Sequence, residues 1–155
     1  MRRLAILAAA VLVVVMVIAA ACSGGDDGRD DGGDVVADLT QSVEVGGVTV
    51  EATWLAEGAD APDADLSAYP AEDFIALDVT LDTHSGDLTS IDMAQAAEMT
   101  GGGPAVEPAA WVSVSDDSHH REGVLVFPRS GVSAPAVLTL DVSGETVTLA
   151  WQEAP

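Results

Sequence analysis

Lysine is missing from this chain altogether; its five basic residues are all arginine, set against 26 acidic ones. Arg2 and Arg3 stand at the extreme N-terminus, and every acidic residue follows Cys22. The part after Cys22 therefore keeps Arg29, Arg121 and Arg129 against 26 acidic residues, a net charge of −23. Such a surface repels phosphate backbones and excludes nucleic acid as a partner. It also repels anionic headgroups, so a folded domain of this charge stands off a membrane surface. Self-repulsion keeps the chain soluble and costs stability at low salt, a cost that a salty habitat would screen. The composition fits a proteome rich in acid and poor in lysine, or else a cationic partner.

Cysteine is nearly missing as well. With Cys22 alone, no intramolecular disulfide, Cys-based zinc site or CxxC redox pair is possible. An exported domain without disulfides must be held by its core, or by a metal on other ligands. The chain also lacks GxSxG, HExxH and a Gly-rich phosphate loop. Serine and aspartate stand near His119, so a Ser–His–Asp set can be assembled on paper. In so Asp-rich a chain that assembly is no evidence, and paired carboxylates are equally uninformative. The reading is therefore not of an enzyme.

What is present begins with a leader. Arg2-Arg3 supplies a positive start, and Leu4 to Ala21 is an uninterrupted apolar run of 18 residues. Ala19-Ala20-Ala21 offers the small residues that a signal peptidase needs, and Cys22 follows at once. This junction resembles the lipobox of bacterial lipoproteins, with Ala19 at a position where that family usually has Leu. The resemblance implies a signal peptide over 1–21 that is cut before Cys22. It implies acylation of the Cys22 thiol, with Cys22 as the new N-terminus. The partner at this end is then the membrane, held through an N-terminal lipid. The alternative is an uncut anchor, because 18 apolar residues are just enough to span. Either way the positive end stays inside and the rest faces outward, so the location is the extracytoplasmic face of the cell membrane.

Residues 22–34 form the lipidated cysteine and a linker. Ser23 to Asp34 reads SGGDDGRDDGGD, with no apolar residue to bury, which predicts a disordered, flexible tether. Its aspartates lack the spacing and the closing Glu of an EF-hand.

The domain runs over 35–155, and its hydrophobic period is two. Val43 to Val45, Gly46-Gly47, then Val48 to Trp54 is a hairpin signature, with Val48, Val50, Ala52 and Trp54 on one face. Glu57 to Pro70 reads as an acidic loop. Phe74 to Thr83 alternates again, with Ile75, Leu77, Val79 and Leu81 facing one way. Asp92 to Glu98 has some helix propensity, but flanking strand signals and Gly101-Gly102-Gly103 favour an extended Leu88 to Met99. Ala109 to Val114 and Glu122 to Phe127 read as strands. Val137 to Val142, Ser143-Gly144 and Glu145 to Trp151 make a second hairpin. Trp54, Trp111 and Trp151 all fall in strands, which predicts core packing.

Seven to eight short strands separated by turn signals predict an all-β fold, an antiparallel β-sandwich. FIALDVTLDTHSGDL, followed by GVLVFP and VLTLDVSG, resembles the immunoglobulin-like domains carried by many uncharacterised bacterial lipoproteins. The resemblance covers roughly Val48 to Trp151 and implies the fold, not a chemistry. The Cys–Trp–Cys core of true immunoglobulin domains is missing.

The three histidines are the remaining candidates. His84 sits in the turn Thr83 to Asp87; His119 and His120 sit in a loop from Ser115 to Arg121. If successive strands alternate in direction, the strand ending at Thr83 and the strand starting at Glu122 bring all three to one end of the sandwich. Three neutral imidazoles near Asp87, Asp116 and Asp117, with Met93 on the same side, would suit Cu or Zn. Alternatively the histidines stabilise turns, and adjacent His119 and His120 face different ways unless the chain kinks. With Arg121 they form the only cluster able to carry positive charge. Two functions follow. The first is a tethered, non-enzymatic binding module for a protein or small ligand. The second is a Cu- or Zn-binding or delivery lipoprotein using His84, His119 and His120.

Overall fold

The computed structural model describes residues 39–56 and 63–153, all within one compact unit, Val35–Pro155. The leader, Cys22 and the tether lie outside the described residues.

Eight strands form two antiparallel sheets. β1 (Thr40–Val45) and β2 (Val48–Trp54) are joined through Gly46 and Gly47, whose φ of 56° and 80° is the left-handed pair of a tight hairpin turn. β3 (Phe74–Thr83) follows, then β4 (Ala97–Thr100), β5 (Ala110–Asp116), β6 (His120–Pro128), β7 (Ala136–Val142) and β8 (Glu145–Trp151). One sheet has the order β1-β2-β3-β6-β5 and the other β4-β7-β8. This is the antiparallel sandwich of seven to eight strands that the period-two pattern predicts, with the immunoglobulin-like fold that the resemblance implies.

The alternation decides the core. Val50, Ala52 and Trp54 of β2 face inward with Ile75, Leu77, Val79 and Leu81 of β3. They meet Leu138, Leu140, Leu149 and Trp151 of the smaller sheet. Trp54 and Trp151 pack edge to face, 5.7 Å between ring centroids. The Trp151 Nε1–H donates to the Leu39 carbonyl at 2.8 Å, which satisfies the one polar atom that the buried ring brings inside.

Leu88 to Met99 differs from the extended reading. A 3-10 turn, Leu88–Ser90, is capped by Asp87, and a one-turn helix, α1 (Met93–Ala96), is capped by Asp92. Only then does β4 begin. The caps explain the difference: each aspartate side chain accepts a backbone N–H two or three residues on, from Thr89 and from Gln95. This segment carries the chain from one sheet to the other, so extended backbone throughout would not turn the corner. Met93, placed beside the histidines by the sequence reading, is instead in the core at 1% exposure.

Candidate functional site

β3 and β6 are antiparallel neighbours, with Asp82 opposite His120 and Leu81 opposite Arg121. Their pairing sets the histidine end. Beyond the ladder, the Thr83 N–H donates to the His119 carbonyl at 2.9 Å, and the Leu88 N–H to the Ser118 carbonyl at 2.9 Å. The turn holding His84 and the β5–β6 loop holding His119 are thus laced together, at one end of the sandwich, as the strand parity predicts. The hydroxyl of Thr83, buried at this junction, lies 3.0 Å from the Gly47 carbonyl oxygen and 2.8 Å from that of Ser85, and shares its single proton between them. That ties the first hairpin turn to the same end.

The side chains have separate surroundings. His84 is exposed. His119 Nδ1 lies 3.0 Å from the Ser118 hydroxyl, in a loop turned by the His119 N–H donating to Asp117 Oδ1. His120 lies on the outer sheet face, with Nδ1 2.6 Å from Asp82 Oδ1 and Nε2 3.6 Å from Glu122 Oε2. The hydrogen bond to Asp82 and the charges of Asp82 and Glu122 raise the His120 pKa above its ordinary value. Among the described residues, no three His, Cys, Asp or Glu side chains are grouped closely enough to hold a metal ion. Cys22, the expected lipid site, lies outside the described residues.

Arg121 is placed differently from the sequence reading, which grouped it with the histidines as surface positive charge. It is 5% exposed and points between the sheets. Its Nη1 donates to the carbonyls of Leu88 and Ile91, at 3.0 and 2.5 Å. Its Nε stands 2.7 Å from Asp116 Oδ1, but the N–H is not aimed for a hydrogen bond, so the contact is ionic. Its guanidinium lies over the Trp111 ring, 5.8 Å from the centroid. Arg121 therefore fastens the turn at 88–91 to the large sheet. Parity carried the signal: Phe127, Leu125 and Gly123 alternate inward, and two residues further back comes Arg121.

Asp78 completes the outer face. It lies between Thr53 and Val124 in register, with Oδ1 buried and unpaired. Partial burial raises its pKa above the ordinary carboxylate value, and the charges of Glu122 and Glu51 add to the effect. Arg129, the other arginine of the described residues, donates to the carbonyls of Ala71 and Phe74 at 2.9 and 3.2 Å.

No protein-family model matches this chain, and no curated protein matches it. Among solved structures, a crystal structure of a DUF4426 family protein from Pseudomonas aeruginosa is similar. It is 15% identical, with 76% of this chain and 96% of that one covered and a TM-score of 0.43.

Proposed function

We propose that this protein is anchored by a lipid on Cys22 at the outer face of the cell membrane, where its sandwich acts as a non-enzymatic binding module. The anchor reading rests on the junction in the sequence: an apolar run, small residues, one cysteine, then a linker without apolar residues. The binding reading is carried by one observation. Arg121 and Arg129 direct their guanidinium groups largely at backbone carbonyls, so most of the acidic surface has no internal counter-charge. A fixed excess of negative charge on a rigid frame, held out on a tether, favours and steers cationic partners.

The test is export of a Cys22→Ala variant in cells fed a labelled fatty acid. Wild type should take up label and sit in the membrane fraction. The variant should take up none and accumulate as an unprocessed precursor. Equal labelling of the two, or processing of the variant to the wild-type mature mass, would contradict the anchor.

A further inference from the structure

A cleft runs along the small-sheet side of the domain. One wall is the segment from Asp87 through α1 to Glu98, and the other is the β7–β8 hairpin. It begins at the sandwich end as a cavity of 240 Å³, floored by Val45, Val48, Leu88 and Val142, with Asp87 and Glu145 at its rim. Ser143 is shared with the next cavity, of 390 Å³, where Ile91 and Ala96 lie beneath Asp92 and Asp141. Gln95, Ala96 and Asp141 are shared in turn with a third, of 230 Å³, flanked by Glu98 and Glu107. The shared residues set the three side by side.

Its rim is of one kind throughout. In the first two cavities the floor is aliphatic, with Val48, Leu88, Ile91 and Val142 buried in it, whereas the third rests on Ala96, Ala97, Thr139 and Thr146. The rim carries six carboxylates, and no arginine or histidine among the described residues lines any part of it. Among the described residues, none of the six takes part in an ion pair. Three of them are fixed without being neutralised: Asp87 accepts from Thr89, Asp92 from Gln95, and Asp141 from the Gly144 N–H. Ser143 stands where two cavities meet, with a φ of 57° that side-chain-bearing residues seldom adopt.

An aliphatic floor under a carboxylate rim complements a long side chain with a terminal cation. The stem lies on the floor and the charged head reaches the rim. A path of several such stations complements a row of them. The chain has no lysine, Arg121 and Arg129 are engaged elsewhere, and Arg29 alone cannot supply a row of long cations, so such a row comes from another molecule. We infer that this cleft docks an extended, lysine- and arginine-bearing segment of a partner protein. The inference rests on the binding-module reading and names the chemistry of its partner.

The experiment measures binding of a fluorescent octalysine peptide to the full chain in neutral detergent, at about 0.15 M salt, where weak long-range attraction is screened. One variant removes four charges from the cleft: Glu98→Gln, Glu107→Gln, Asp141→Asn and Glu145→Gln. A matched variant removes four from other surfaces: Glu44→Gln, Glu51→Gln, Asp63→Asn and Glu72→Gln. Thermal melts of both confirm the fold. The cleft variant should lose affinity about tenfold and the matched variant about twofold or less, because close pairs persist in salt when distant ones do not. Equal losses would overturn the cleft while leaving an acidic module that binds cations. No binding by wild type would overturn the cleft and the charge-based binding reading together.

Discussion

A Cβ on Gly123 would lie 2.5 Å from the Val112 carbonyl oxygen and 2.7 Å from the Trp111 ring. Trp111 lies across this glycine on the inner face of β6, beside Arg121, so the ring fills the space that a side chain would need. Gly123→Ala should destabilise the domain by roughly 1–3 kcal/mol through overpacking, read as a lower denaturation midpoint with unchanged slope. An unshifted midpoint would mean that Trp111 does not rest there. Asp78 makes the opposite kind of prediction. Its folded pKa lies above the unfolded value, so its contribution is favourable below about pH 3.8 and is lost as pH rises through the folded pKa. Ionised Asp78 thus strains the fold at neutral pH. Asp78→Asn should raise the melting temperature at pH 7, and the gain should shrink as pH falls toward 4. A variant less stable than wild type at pH 7 would contradict this. His120 behaves in the same direction for a different reason: its favourable contact with Asp82 is strongest when the ring is charged, and fades as pH rises through its raised pKa.

The strands of the large sheet were largely legible in the sequence because each has one buried face. Ile75, Leu77, Val79 and Leu81 alternate without error, and all four are buried. The two Gly-containing hairpins were legible because left-handed backbone needs those residues. Less legible was the crossing from β3 to β4, where two aspartate caps and four helical residues decide the path, and where local propensity and neighbouring strand signals conflict. The strand ends around Ser115 to Arg121 were also hidden. A polar, acidic string looks like a loop, yet β5 extends to Asp116 and β6 starts at His120. The irregular register between Ser113 and Ser115 also shifts which residues face inward. Of the candidate site, the gathering of the histidine turns at one end was readable from strand parity, whereas the inward turn of Arg121 was masked by its charge. Arg121 holds the crossing from β3 to β4 through the carbonyls of Leu88 and Ile91. Arg121→Met keeps the stem and removes the donors, so the carbonyls of Leu88 and Ile91 lose their partner. The cost should be about 1–3 kcal/mol, with faster amide exchange concentrated over residues 88–96. Exchange that speeds up evenly across both sheets would show that the arginine does not specifically hold this segment.

The whole molecule joins a sandwich of two antiparallel sheets to a net charge that it scarcely neutralises within itself. The charge belongs to its surroundings, and so does the proposed anchor, which holds the domain near a membrane whose anionic headgroups repel it. In the proposed arrangement a linker without apolar residues stands between the two, and the acidic cleft is left to meet a basic segment. Raising salt should increase the melting temperature by screening self-repulsion, while weakening attachment of a cationic peptide. The proposed anchoring depends on where the mature chain begins. The intact mass of the protein, extracted from membranes of the cells that make it, tests that most directly. The account predicts a chain beginning at Cys22, lacking residues 1–21, with added mass for acyl groups on the cysteine. A full-length chain, or a shortened one with an unmodified Cys22, would contradict it.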